Sequence, residues 1–355
     1  MLKASLARYV FLFSAALAVS TAASAQGSWT PEYKDGVLQP LADGFPNQEI
    51  TILVPDRPTA SDGILATQMI EAAKPFSPVP LRTEFRQDFQ AVPAWEALAY
   101  IKREGNEDGY VVITFSHAGS LADTMAVDLK SVVGVTRDDM QPVIGLEISR
   151  WFLTQCATVA WEPTIEALVA QIKANPGKVR YMAQGAGGGV DLGFFSFMKH
   201  FGISADQVDA IPIGGTVEQA TATAACEGDV TVTTVDPIMP HLQNGRVKLL
   251  MMNGIDRLPE FPDVPTAADL GMAGGGLRSG KEFITSKNVP AEHVAWLHEL
   301  FKKAASEPSY VEKRKKIPGL LVEIRNPADT EKLFDETVTQ VRDVLDQLGL
   351  LVVKD

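Results

Sequence analysis

The segment from Arg180 to Leu192 has the composition of a loop that holds a small anion. A strand pattern runs into four glycines within five residues, and a helix pattern begins at Leu192. Glycines let main-chain amides approach a ligand, and the first N–H groups of a helix have no partner within it. We predict that this loop is the main contact for a carboxylate, although Asp191 would oppose an anion if it capped the helix. The candidate contacts are Gln184, Gly185, Ala186, Gly187, Gly188 and Gly189.

Two other interpretations of this glycine-rich segment are a structural turn and a dinucleotide site. The dinucleotide fingerprint needs a third glycine at the position that Val190 occupies, and nicotinamide cofactors are not expected for an exported chain. We therefore expect no cofactor, and the structural turn stays open.

A second strand–loop–helix pattern spans Leu53–Gly63 and leads into a helix from Ile64. It offers side-chain oxygens and amides at a helix start, where anions bind. Arg57 is the only cation of this loop, and its planar guanidinium suits bidentate capture of a carboxylate; the alternative is a solvated surface arginine. The candidate contacts here are Asp56, Arg57, Thr59, Ala60, Ser61 and Asp62.

A third loop, Thr114–Ser120, also follows a strand, on the side where open α/β sheets place their ligands. Its candidate contacts are Ser116 and His117. The other four histidines are scattered and have no second ligand type at metal spacing. The sequence contains no G-x-S-x-G, H-E-x-x-H or Walker motif. These observations predict ligand binding without catalysis and without a metal.

The 355 residues are enough for two domains, and 46% hydrophobic with 21% charged residues is typical of folded chains. Forty-four acidic against 32 basic residues give a net charge of −12, which disfavours a nucleic-acid partner. The two cysteines, Cys156 and Cys226, exclude a disulfide scaffold and a cysteine-ligated zinc module. Whether they form a disulfide or stay as buried thiols is open from the sequence.

The first residues have the pattern of a secretory signal peptide. Lys3 and Arg8 precede an apolar run, Tyr9–Val19, and small residues stand at Ala23 and Ala25. The run is shorter than the ~20 apolar residues that a bilayer span needs. We predict that residues 1–25 are removed near Ala25 and that the mature chain is exported.

Strand-like and helix-like patterns alternate along the rest of the chain, which predicts an α/β fold with mostly parallel sheets flanked by helices. The predicted strands are Glu49–Val54, Leu81–Phe85, Tyr110–Thr114, Val179–Ala183, Asp209–Ile213, Val230–Val235 and Val247–Met252. The predicted helices are Ile64–Ala73, Ala94–Glu104, Ile165–Ala174, Leu192–Phe201, Thr216–Cys226, Ile238–Asn244 and Pro327–Leu348. Two stretches, Ala126–Asp139 and Asn253–Pro265, are weakly patterned and suggest passages between domains.

Several runs closely resemble the substrate-binding proteins of tripartite tricarboxylate transporters, also called the Bug family, from about Pro46 to the C-terminus. The matching runs are Ala174–Tyr181 with the glycine-rich loop after it, Ile211–Gly215, Asp256-Arg257, Phe261–Thr266, Leu270-Gly271, Glu84, Arg86 and Asp108–Tyr110. The chain departs from the family where Thr59-Ala60 replace paired glycines and where Phe85–Ala91 replaces a second glycine-rich run.

The resemblance implies a hinged, two-domain periplasmic binding protein of type II, in which two loops grip a small organic acid. Those loops correspond here to Pro55–Gly63 and Gln184–Gly189, and Gly214 and Asp236 would lie nearby. With the two passages, it predicts one domain from residues 26–129 and 246–355 and an inserted domain from residues 130–245. It also predicts a monomer that delivers its ligand to integral-membrane transporter subunits. Two alternatives are a binding protein that presents its closed form to a membrane sensor kinase and an exported enzyme on the same scaffold.

Overall fold

A computed structural model of the chain describes residues 29–185 and 188–353. The predicted signal peptide, residues 1–25, lies outside the described residues. The strands are β1 (Tyr33–Lys34), β2 (Val37–Leu38), β3 (Ile50–Val54), β4 (Leu81–Phe85), β5 (Val111–Ser116), β6 (Met140–Ser149), β7 (Trp151–Cys156), β8 (Arg180–Ala183), β9 (Asp209–Pro212), β10 (Val230–Thr234), β11 (Val247–Met252), β12 (Ser279–Ser286) and β13 (Leu320–Arg325). The helices are α1 (Ser61–Ala73), α2 (Pro93–Arg103), α3 (His117–Ala126), α4 (Leu129–Val132), α5 (Ile165–Ala174), α6 (Gly189–His200), α7 (Thr216–Ala224), α8 (Val235–Gln243), α9 (Ala291–Ala305), α10 (Pro308–Lys315) and α11 (Pro327–Leu348).

A six-stranded sheet with the order β13-β6-β12-β5-β3-β4 forms the first domain. Strand β3 pairs in parallel with both β4 and β5. All five of its residues are buried, as expected for a strand covered on both faces. Strands β12, β6 and β13 then continue the sheet through antiparallel pairs.

A five-stranded sheet with the order β11-β7-β10-β8-β9 forms the second domain. Strand β8 pairs in parallel with β9 and β10, and β7 pairs antiparallel with β10 and β11. The two α/β domains that the sequence predicts are therefore present. Each sheet keeps a parallel half, and its antiparallel half lies where the chain passes between the domains.

The passages differ in position from the predicted boundaries. The sequence analysis placed residues 140–149 in the inserted domain, but strand β6 belongs to the six-stranded sheet. It placed residues 247–252 outside the insertion, but strand β11 belongs to the five-stranded sheet. The reason is that pairing partners far along the chain assign a strand to its sheet: β6 pairs with β12 and β13, and β11 pairs with β7.

Helix α11 packs against both domains. Asn326 is its N-cap, and the Asn326 Oδ1 accepts a hydrogen bond from the Asp329 amide at 2.8 Å. The helix ends at Gly349, which has the left-handed backbone conformation typical of a C-cap. Phe334, in its first half, packs with Phe115 of the first domain. Further along, Val341 and Val344 join the apolar cluster of helix α6.

The two cysteines form a disulfide that joins the end of β7 to the turn after α7, with 5.4 Å between their Cα atoms. This resolves the alternative that the sequence leaves open. Within the described ranges, no helix combines the length and the hydropathy that a membrane crossing requires.

Candidate functional site

The loop Pro55–Gly63 packs tightly onto the start of helix α1. A Cβ at Gly63 would come within 2.6 Å of the carbonyl oxygens of Arg57 and Pro58, so the turn needs glycine there. Asp56 Oδ1 accepts from the Arg57 amide at 2.7 Å. The side chains of Arg57 and Thr59 are exposed, and the described residues provide neither with a side-chain partner.

Lys281, which the sequence analysis did not identify, is the cation at the start of α1. Its Nζ lies 2.7 Å from Asp62 Oδ1 and donates to Ser116 Oγ at 2.6 Å. Ser116 Oγ also lies 3.3 Å from Asp62 Oδ2. The strand register brings these three side chains together, because Lys281 of β12 pairs directly with Ser116 at the end of β5. Only 13% of the Lys281 side chain and 15% of the Asp62 side chain are exposed.

A buried ion pair continues this polar row into the first domain. Glu147 of β6 pairs in register with Lys281 on the other side of β12. Its carboxylate accepts from Arg314 Nη2 and Nε at 2.8 and 3.0 Å, and Arg314 Nη1 donates to Gln68 of α1 at 3.1 Å. Burial raises the pKa of Glu147, and the Arg314 guanidinium partly offsets that rise. Asp62, Lys281, Glu147 and Arg314 thus alternate in charge and sum to zero.

His117 lies behind this row rather than in it. Its imidazole is fully buried, with Nδ1 at 2.8 Å from Glu282 Oε1 and Nε2 donating to the Arg278 carbonyl at 3.1 Å. Adjacent residues of a strand point to opposite faces, so Glu282 and Lys281 lie on opposite sides of the sheet. Both ring nitrogens have partners within the protein. His117 therefore links the start of helix α3 to Glu282 of β12 and to the Arg278 carbonyl.

The glycine-rich loop of the second domain holds a carboxylate of its own. Asp191, in the first turn of α6, accepts from the amides of Gln184 and Gly185 at 3.1 and 2.8 Å and from the Tyr181 hydroxyl at 2.6 Å. Burial raises the pKa of Asp191, and these three hydrogen bonds oppose that rise. Two amides that the sequence analysis assigned to a ligand are therefore occupied by the protein itself.

Helix α6 begins at Gly189, three residues earlier than the sequence predicts, so Gly188 is its N-cap and the loop is shorter. Gly185 has a φ of 139°, which side-chain-bearing residues rarely adopt. Ala186 and Gly187 lie outside the described residues.

The two domains meet at the starts of α3 and α6. A Cβ at Gly189 would lie 3.4 Å from the Gly119 amide, so the two helix ends nearly touch. In α8, burial raises the pKa of Asp236, and the Arg314 guanidinium of the first domain partly offsets that rise. Gly214 is exposed, with a φ of 108°. No described contact links it to this group.

Four helices, α1, α3, α6 and α8, begin around this group without a capping hydrogen bond from an N-cap side chain. The N-caps of α1, α3, α6 and α8 are Ala60, Ser116, Gly188 and Thr234, and none of them makes a side-chain cap hydrogen bond. Free N–H groups with the partial positive charge of a helix start favour an anion. No cluster of metal-ligating side chains occurs among the residues that the structure describes.

The segment Phe85–Ala91 makes its main polar contacts within itself and with the neighbouring Tyr100 ring. The Arg86 guanidinium lies 4.3 Å from the Phe89 ring and 4.4 Å from the Tyr100 ring, and it forms a bidentate pair with Asp88. The Arg86 side chain lowers the pKa of Asp88 to about 2. This corner is a cation–π cluster with its own counter-ion.

A family model for the tripartite tricarboxylate transporter family receptor matches residues 99–350. The chain belongs to this receptor family. It is a family of binding proteins, in agreement with the predicted absence of catalysis.

Individual relatives agree over nearly the whole chain. A UPF0065 protein of Bordetella pertussis is 24% identical over 311 residues, which are 87% of this chain and 92% of the relative. A protein of R. palustris solved with adipate has a TM-score of 0.69 and 18% identity, and covers 86% of this chain and 98% of its own. MatC from Rhodopseudomonas palustris with bound malate has a TM-score of 0.66 and 19% identity, and covers 85% of this chain and 100% of its own. The two structures show that the receptor fold extends over most of the chain.

Replacing Asp191 by asparagine tests its role in the glycine-rich loop. The asparagine oxygen can replace only one of the two carboxylate oxygens, either Oδ1 with its bonds from Tyr181 and Gln184 or Oδ2 with its bond from Gly185. The amide nitrogen would then face the donors of the other oxygen, so at least one buried donor loses its partner. We expect a loss of about 1–3 kcal/mol in the free energy of unfolding, measured by urea titration. The matched control is Asp209→Asn, at an exposed strand position, which should change stability by less than about 0.5 kcal/mol. Equal stability of the Asp191 variant and the wild type would contradict the assignment.

Proposed function

We propose that this receptor binds a small dicarboxylate between its two domains in the periplasm and delivers it to membrane subunits of a tripartite transporter. The observation that carries the proposal is Lys281, a nearly buried cation among four uncapped helix starts contributed by both domains. A carboxylate that binds there would receive amide hydrogen bonds and a nearby positive charge.

The charges around Lys281 suggest how a ligand is accommodated. In the described structure Asp62 already neutralises Lys281, and Asp191 already occupies two loop amides. A ligand carboxylate therefore competes with Asp62 for the ammonium group, or shares it, while the remaining free amides receive its other oxygen atoms. Such a site discriminates against neutral ligands, because only an anion compensates the weakening of the Asp62–Lys281 pair.

The periplasmic location rests on the secretory pattern of residues 1–25 and on the disulfide, which persists in an oxidising compartment. The dicarboxylate class rests on the relatives that were solved with malate and with adipate. Binding at the meeting point of two domains favours a closed form, because the ligand then contacts both sides.

Titration calorimetry of the mature protein with succinate, malate, glutarate and adipate tests the function. We expect one site per chain and recovery of the unmodified ligand after incubation. Absence of binding for the whole series would contradict the dicarboxylate class, and a chemically altered ligand would contradict a binding protein.

Replacing Lys281 by methionine removes the charge and keeps the length of the side chain. We expect the dissociation constant of the tightest dicarboxylate to rise at least about tenfold, the equivalent of about 1.4 kcal/mol. Lys281→Arg should retain more of the affinity, because the positive charge remains. The matched control is Lys248→Met, an exposed lysine on strand β11, which should leave the dissociation constant unchanged. Unaltered affinity in the Lys281→Met variant would exclude Lys281 from the site.

A further inference from the structure

The two passages between the sheets run side by side. The first is Arg150, the single residue between β6 and β7, and the second is Leu277–Arg278, which leads into β12. Ser279 pairs in register with Ser149, so the passages start from neighbouring strands. A movement of one domain relative to the other must be absorbed by backbone rotations in such segments.

Asn253, which directly follows β11, joins both passages with its carboxamide. Its Oδ1 accepts from the Trp151 amide at 2.7 Å, and its Nδ2 donates to the Leu277 carbonyl at 3.0 Å. Its own amide donates to the Trp151 carbonyl at 3.0 Å. The side chain is buried, so these bonds are not exchanged freely with water.

Arg150, in the first passage, binds the main chain at Asn253 with its guanidinium. Its Nη1 donates to the Asn253 carbonyl at 2.9 Å, and its Nη2 lies 3.5 Å from the Asp256 carbonyl. The guanidinium is buried, and it occupies the space that a side chain at Gly254 would need. Gly254 also has a φ of 108°, so glycine is required there on both grounds.

The passage is mechanically connected to the candidate site. The Trp151 ring lies so close to Gly193 of α6 that a Cβ at Gly193 would overlap it. Helix α6 begins at the glycine-rich loop, four residues before Gly193. Because the Trp151 ring packs on α6, a rotation at Arg150 moves β7, helix α6 and the glycine-rich loop together relative to the first domain.

We propose that Arg150 and Asn253 are positioning residues that set the equilibrium between the open and closed forms of this receptor. The inference rests on the proposed function, because it assigns these residues to the domain movement that binding requires. Neither side chain contacts the group around Lys281 in the described structure. They act through the relative orientation of the two domains.

Distance measurements between spin labels in the mature protein test the proposal. The labels are placed at Lys74→Cys in the first domain and Lys173→Cys in the second, both exposed, with the native disulfide kept intact. The variants are Asn253→Ala, which removes both carboxamide bonds, and Arg150→Lys, which keeps the charge but loses the fork of donors. The matched control is Asn244→Ala, at an exposed helix end. Malate and adipate are the probes.

We expect both variants to broaden or shift the interdomain distance distribution of the free protein, while circular dichroism retains the wild-type spectrum. We also expect an apparent dissociation constant for a probe that binds to change by about threefold or more, because the competent population changes. The Asn244→Ala control should match the wild type in both measurements.

Wild-type distance distributions in both folded variants would overturn the proposal. If Asn253→Ala does not fold, the distribution of Arg150→Lys decides by the same criterion. If neither probe binds the wild type, the choice of ligand in the proposed function fails, whereas the comparison of the free proteins still decides the role of Arg150 and Asn253.

Discussion

Replacement of Arg314 by methionine is expected to lower the free energy of unfolding by about 3–5 kcal/mol. Only 2% of the side chain of Arg314 and 2% of that of Glu147 are exposed, so the variant would leave a carboxylate inside the first domain without its partner. Gln68 would also lose the Nη1 donor at 3.1 Å. Urea unfolding followed by circular dichroism measures the change.

Two further variants distinguish a buried charge effect from general damage to helix α10. Lys313, next in sequence, pairs with Glu71 on the surface, where 50% and 55% of the two side chains are exposed. Lys313→Met should therefore cost less than about 1 kcal/mol. The double variant Glu147→Leu/Arg314→Met should recover most of the lost stability, because it removes both charges. A loss below about 1 kcal/mol for Arg314→Met alone would show that the Glu147 carboxylate finds another partner or takes up a proton at little cost.

Removal of the disulfide is the second large effect that we expect. Cys156 and Cys226 are 70 residues apart, and the chain-entropy relation for a loop of that length gives about 4 kcal/mol. The double variant Cys156→Ala/Cys226→Ala should lose a free energy of unfolding of that order. The reason is that its unfolded chain is no longer restricted by the cross-link.

The same measurement in a reducing agent provides the control. The reduced wild type should unfold at nearly the urea concentration of the double variant, and the reducing agent should not change the variant itself. A difference below about 1 kcal/mol between the oxidised wild type and the variant would contradict the expectation. It would mean that residual structure already restricts this loop in the unfolded chain without the cross-link.

The parallel half of each sheet could be predicted from local patterns. Strands such as Ile50–Val54 and Val230–Thr234 are short runs rich in β-branched residues, and each is followed by a helix, so the local strand and helix patterns alternate clearly. Antiparallel strand β11 was predicted with its observed bounds, but strands β6, β7, β12 and β13 were missed. Strand β6, Met140–Ser149, and strand β12, Ser279–Ser286, carry Glu147, Lys281 and Glu282 within them. Their polar residues are satisfied by partners far along the chain, which no local pattern reveals.

The candidate site shows the same division. By itself, the sequence determined the receptor family, the α/β class and the two strand–loop–helix units, because these depend on residue types that are neighbours in the chain. Tertiary structure alone decided that Lys281 meets Asp62, that Asp191 occupies two loop amides, and that the His117 imidazole lies against Glu282. It also brought Asn253 and Arg150 to one point between the domains. The physical reason is that strand register and helix packing bring these groups together, and both are properties of the assembled sheets rather than of any local segment.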